Sequence, residues 1–243
     1  MTRPIDHVLS RLVQYDGAPI RLMEVCGTQT AEISRHGIRH LLPPGIQMIS
    51  GPGCPVCVTV TAYVDRLVWL SRQENTTVVS FGDLFRVPGS RESLSEAKAS
   101  GGHAVMVYAP SQMLTMARQQ PDHQFVFAAV GFETTAPIYA GMIRRAKEEG
   151  LQNLKFLTSL KTMPAALRWI CDHEPDIHGF LAPGHVCAVT GIQDYEQIAK
   201  EYGIPFVVSG FSAQELLAAI YALVCLQGKG ELRNFYPSVV RPE

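Results

Sequence analysis

Cys54 and Cys57 stand three positions apart behind Gly51-Pro52-Gly53, with only Pro55 and Val56 between them. Two thiols at this spacing are the minimum for chelating a soft metal or for cycling between dithiol and disulfide, and the flanking glycines and prolines restrict the backbone that aims them. A third thiol, Cys26, opens the polar run Gly27-Thr28-Gln29-Thr30. His185 follows Pro183-Gly184 and reads as a turn residue, where burial is not expected. Glu133 lies in Gly131-Phe132-Glu133-Thr134-Thr135, where its carboxylate could cap a helix that begins near Pro137. Asp83, after Gly82, reads as the carboxylate at the start of a turn. These groups suit two chemistries: holding a soft metal on Cys26, Cys54 and Cys57, or a thiol oxidoreductase or nucleophile using Cys54 and Cys57 with His185 as base.

The other candidates read more plainly. Cys171 and Cys225 fall within apolar helical patterns and are expected in the core, while Cys187 reads either way. His36, His40, His103, His123, His173 and His178 lack a reactive context and read as surface or satisfied core. There is no Gly-x-Gly-x-x-Gly after a strand pattern and no Gly-x-Ser-x-Gly elbow, and Gly228-Lys229-Gly230 lacks the loop of a phosphate-binding motif. A structural zinc site would need a second Cys/His pair at similar spacing, and the sequence has none.

The elements that must position these residues are legible as a pattern. Eight short runs rich in β-branched residues, at 21–25, 47–50, 77–81, 104–108, 125–130, 155–158, 179–181 and 205–209, alternate with helix-compatible stretches. This is the signature of βαβ units with parallel strands buried on both faces. Ser93 and Glu96 form a capping-box pattern, and helices are expected over 111–118, 137–149, 163–171, 194–202 and 213–226. A helix over 58–70 would put the Cys54/Cys57 pair at its N-terminus, as in thioredoxin-like couples. In such sheets ligands bind beyond the carboxyl ends of the strands, which is where every candidate above falls. Four runs precede Pro121 and four follow it, so we expect two α/β domains, 1–120 with the cysteine motifs and 121–243 with the Glu133 and His185 motifs; a single open sheet is the alternative.

Composition narrows the partners. A formal charge of −1, with 21 basic against 22 acidic residues, gives no field for a polyanion, so nucleic-acid binding is not expected. The first twenty residues carry Arg3, Asp6, His7, Arg11 and Asp16, which breaks any signal-peptide core, and no apolar run approaches membrane-spanning length. The expected location is the cytoplasm, where thiols at this spacing serve as ligands or catalysts rather than disulfides.

Six segments taken together resemble the HypD family, scaffold proteins of [NiFe]-hydrogenase maturation. They are Cys26-Gly27-Thr28, the segment from Gly51 to Cys57, Phe81-Gly82-Asp83 with Arg86-Val87-Pro88-Gly89-Ser90, Gly131-Phe132-Glu133-Thr134-Thr135-Ala136-Pro137, Pro183-Gly184-His185-Val186, and Ile204-Pro205 with Gly210-Phe211. The resemblance implies two α/β domains facing each other across a cleft. It implies iron held as a transient Fe(CN)2CO group, a small HypC-like partner and a HypE-like cyanide donor. By position it makes Cys26, Cys54 and Cys57 the iron ligand and redox thiols, lines the facing wall with His185 and Glu133, and adds Thr28, Asp83 and Thr134 as contacts to the bound group. Three departures stand out: Gln29 replaces a histidine, Cys187 replaces a serine, and the sequence ends at Glu243 without the cysteines of the family's [4Fe–4S] cluster, which is therefore not expected in this chain. The chain then reads as a truncated or divergent iron-binding paralogue, or as a fragment of a longer protein.

Overall fold

The computed structural model describes residues 4–239; Arg3 and Glu243 lie outside the described residues. In chain order the elements are α1 (Pro4–Val13), β1 (Ile20–Glu24), α2 (Gly27–Arg35), α3 (Ile38–Leu41), β2 (Ile46–Ser50), α4 (Thr61–Ser71), β3 (Thr76–Ser80), α5 (Leu94–Ala99), β4 (Ala104–Met106) and α6 (Pro110–Gln119). They continue with β5 (Gln124–Gly131), α7 (Ala136–Glu148), β6 (Leu154–Leu160), α8 (Met163–His173), β7 (Gly179–Pro183), α9 (Gly184–Thr190), α10 (Gln193–Tyr202), β8 (Phe206–Ser209), α11 (Ala213–Cys225) and β9 (Leu232–Asn234). A single 3-10 turn, Leu84–Arg86, follows β3.

Among the described residues all strand pairings are parallel, and they make two sheets of order β2-β1-β7-β8-β9 and β4-β3-β5-β6. The fold is therefore α/β with two helix-flanked parallel sheets, as the alternation of runs predicts. The split expected at residue 120 is not the one the chain makes. One compact unit comprises the chain up to Cys54 together with Thr162 onward, and the other is Pro55–Lys161. The physical reason is strand pairing: β1 pairs with β2 on one side and with the distant β7 on the other, so the segment inserted between β2 and β7 in the sequence carries the whole of the second sheet.

In the first unit, alternation along the strands sends Leu22, Leu181 and Val207 into a core with Leu12, Ile33, Leu216 and Ile220 of α1, α2 and α11. On the opposite face Phe180 stacks on Phe206 at 4.8 Å between ring centres, and Tyr195 of α10 meets Phe206 edge-on. In the second unit, Val79, Phe125, Phe127 and Ala129 face Met113 of α6 and Tyr139 and Met142 of α7. Val78, Ala104, Ala128 and Val130 face Tyr63 and Leu67 of α4 and Leu94 of α5. After its first residue β5 is buried throughout, which explains why its sequence is continuously apolar rather than alternating.

Candidate functional site

Strand β1 lies between β2 and β7, and Cys26 follows it as the N-cap of α2, with extended backbone (φ −147°, ψ 123°) and only 4% of its surface exposed. The loop after β2 is laid directly on it. The Gly51 N–H donates to the Glu24 carbonyl at 2.7 Å, and the Gly27 N–H donates to the Gly53 carbonyl at 3.2 Å. A Cβ on Gly53 would stand within 2.6 Å of the Cys26 backbone, and one on Gly51 within 2.9 Å of Met23 and Val25 side-chain atoms. The Gly-Pro-Gly thus does more than stiffen the loop: it removes the side chains that would hold Cys54, half-buried, away from Cys26.

Burial pushes the Cys26 thiol up from its ordinary value; the amides of Gln29 and Thr28 and the Thr28 hydroxyl oppose this but do not cancel it. Two residues earlier, Glu24 is wholly buried. Its carboxylate accepts from the Thr30 hydroxyl at 2.8 Å and from Arg39 at 3.4 Å, and Arg39 also donates to Ser50 Oγ at 2.8 Å. Burial raises the Glu24 pKa, and Ser50, Thr30 and Arg39 temper the rise. Sequence reasoning passed Glu24 over; the available signal was a lone acid inside an otherwise buried strand run beside a reactive thiol.

His185 lies in the first turn of α9 rather than in an exposed turn. It is half-buried, packs 5.4 Å from the Phe211 ring, and its Nδ1 has no hydrogen-bond partner among the described residues. Burial holds its pKa below the usual imidazole range. It follows β7, the sheet neighbour of β1, so it shares a strand-end rim with Cys26 in the first unit instead of standing on a separate domain. Gln29 is fully buried and serves as a clasp on that rim, its Nε2 reaching the Ala182 carbonyl at 3.3 Å and the Ser209 carbonyl at 3.4 Å. Cys187, the fourth residue of α9, is buried.

In the second unit Cys57 is exposed, in a turn that the Thr59 hydroxyl closes by donating to the Pro55 carbonyl at 2.8 Å. Helix α4 starts only at Thr61, after Val60 as N-cap, so the pair does not sit at a helix N-terminus as expected over 58–70. Prolines and the β-branched run from Val58 to Val60 delay the helix. Asp83 caps the 3-10 turn through the Leu84 N–H at 2.9 Å, as its sequence position predicts. Glu133 and Thr134 lie in the turn after β5, and Thr135, not Glu133, is the N-cap of α7.

The structure therefore gathers Cys26, Thr28, Cys54 and His185 in one unit and Cys57, Asp83, Glu133 and Thr134 in the other, with the chain passing between the two inside the Cys-Pro-Val-Cys motif. Among the described residues no three His, Cys, Asp or Glu side chains form a metal-binding group. Cys225 is exposed and Cys171 half-buried, not core as expected, because each takes the outward side of its helix; Cys171 is still desolvated enough for its thiol to be pushed up to about 11. His123 and His178 are satisfied, by Thr77 Oγ1 at 2.8 Å and by the Arg21 N–H at 3.2 Å.

A family model, HypD, described as the hydrogenase formation hypA family, matches residues 3–243. The chain belongs to the HypD family. It is 41% identical over 240 residues to the hydrogenase maturation factor HypD of Rhodobacter capsulatus, covering 96% of this chain and 63% of that protein. It is 39% identical over 226 residues to HypD of Escherichia coli, covering 91% and 60%. A putative hydrogenase expression/formation protein of Methanocaldococcus jannaschii is 34% identical over 226 residues, covering 92% and 63%. The chain thus spans 60% to 63% of the length of these HypD-family relatives. Among the described residues no helix is long and apolar enough to cross a membrane.

Proposed function

We propose that the chain acts in [NiFe]-hydrogenase maturation as a cytoplasmic scaffold on which an Fe(CN)2CO group is assembled or passed on. The iron is cargo. Cys26 and Cys54 supply thiolates to it, and Cys57 exchanges with Cys54 as a dithiol couple. The observation that carries this reading is the Gly53–Cys26 apposition, which has no room for a Cβ and brings the Cys54 loop onto the Cys26 backbone. Thiolates suit low-spin iron carrying cyanide and carbon monoxide because that centre is soft. Binding displaces the proton that burial keeps on Cys26, so loading releases protons and weakens as pH falls.

A HypC-like chaperone shares the iron and a HypE-like protein donates cyanide in this scheme. Thr28 and His185 then contact the group from the first unit, which also holds Cys26 and Cys54. The test is infrared spectroscopy of protein purified anaerobically after co-expression with its HypC-like partner. Cyanide and carbonyl stretches are expected, and they should vanish in Cys26→Ser and Cys54→Ser while the fold persists. Absence of those stretches from the unsubstituted protein, with and without partner, sinks the proposal. Thiol turnover without iron would favour the oxidoreductase reading instead.

A further inference from the structure

The second unit contains a cavity of about 120 Å³ that the thiol chemistry does not use. It lies beyond the carboxyl ends of β3 and β5. The strand order β4-β3-β5-β6 reverses direction between those two strands, so the cavity occupies the topological switch point where open parallel sheets bind ligands. Four polar side chains reach it: Ser80, Asp83, Thr135 and Tyr139.

Their hydrogen bonds define what can enter. Ser80 spends its hydroxyl proton on the Phe81 carbonyl at 3.1 Å, and Tyr139 spends its own on the Val130 carbonyl at 2.8 Å. Both therefore show the cavity lone pairs only. Asp83 is an acceptor with one oxygen on the Leu84 N–H at 2.9 Å and the other without a partner among the described residues. Thr135 makes no side-chain cap bond and remains able to donate or accept. Among the described residues no lysine, arginine or histidine lines the space. The remaining walls are apolar, from Val56, Leu84, Val130 and the Phe81 ring. An occupant rich in N–H donors answers these acceptors, and positive charge complements the exposed Asp83 carboxylate. At about 120 Å³ the cavity has room for a group of a few heavy atoms such as a guanidinium.

We propose that this cavity is a guanidinium site, with Asp83 as the charge partner and Ser80, Thr135 and Tyr139 as acceptors around the plane. The group comes either from a free small molecule or from an arginine side chain of a protein partner. Its floor includes Pro55 and Val56, the two residues between the thiols, so an occupant touches the Cys-Pro-Val-Cys turn directly. The site does not depend on iron, and the proposal stands or falls apart from the scaffold reading.

The experiment uses the full chain without iron, labelled with ¹⁵N and titrated with methylguanidinium chloride at constant ionic strength. Saturable shifts are expected at the amides of Phe81, Leu84 and Thr135. Asp83→Asn should weaken binding about tenfold, the loss of one charge-assisted pair, with circular dichroism unchanged. Thr135→Val, which keeps charge and size, should weaken it by less. A parallel titration with N-acetylarginine amide separates the sources: binding of both probes identifies a partner's arginine as able to fill the site, and binding of methylguanidinium alone identifies a free ligand. Either supports the proposal. No saturable binding of either probe, equal binding by methylammonium, or affinity unchanged in both variants overturns it.

Discussion

At the scale of single residues, the close approach of Gly53 to Cys26 is the feature most open to test. Gly53→Ala places a methyl within 2.6 Å of the Cys26 backbone and should cost about 1–3 kcal/mol by overpacking, read as a lowered denaturant midpoint. Gly27→Ala is the control: its Cβ would meet only the Gly53 carbonyl at 3.6 Å, an ordinary contact, and stability should hold or rise. Equal losses in the two variants would show that the loop is not wedged as described. His185 gives a pH signature. Burial lowers its folded pKa below the usual value of about 6.5, so the unfolded chain takes up the proton first, and stability should decline as pH drops below about 6.5 until the folded pKa is passed. His185→Gln should flatten that decline in urea titrations between neutral and mildly acidic pH. The thiols and carboxylates were legible as candidates because residue type and motif spacing are local facts. Glu24 and the burial of His185 were not, since each depends on which strands flank β1 and β7.

At the scale of elements, the sequence pattern located all eight principal strands within a few residues, because β-branched runs bounded by Gly, Pro or small polar residues report burial on both faces. It missed β9, whose Leu-Arg-Asn carries no such signal and which pairs only at the sheet edge with β8. It also missed α2, whose Gly-Thr-Gln-Thr opening reads as loop but is held helical by packing of Ile33 into the core. Capping read correctly at Ser93 and not at Glu133. The Ser93–Glu96 box is formed, with the Ser93 N–H donating to Glu96 at 2.7 Å, and a second box joins Ser212 to Glu215 at 3.0 Å. Helix α11 carries Leu216, Ile220 and Leu223 into the first unit's core, so its start matters to that whole unit. Ser212→Ala should cost about 1 kcal/mol, seen as a lower melting temperature. A loss no larger than that of an exposed Ser→Ala control such as Ser111→Ala would mean the cap contributes nothing beyond what water supplies.

At the scale of the whole molecule, the division that counting strands suggests, four before residue 120 and four after, fails because pairing is not ordered by sequence. His178 and Arg21 are joined across the full length of the inserted segment, and β1 lies between β2 and the distant β7. A sequence read along its length sees eight similar runs and cannot tell which run skips over the next four. Two fragments separate the alternatives. Residues 55–161 contain every strand of the β4-β3-β5-β6 sheet, the helices α4 to α7 that cover it, and both of its apolar clusters, so they hold a complete core of ordinary domain size. Residues 1–120 hold two strands of each sheet and lack β5, the most buried strand of the second, and β7, the neighbour that β1 requires. The shorter fragment should therefore unfold cooperatively in urea with an α/β circular dichroism spectrum, and the longer one should show no cooperative transition. Cooperative folding of 1–120, together with failure of 55–161, would restore the sequential division and remove the inserted unit as the organising feature of the fold.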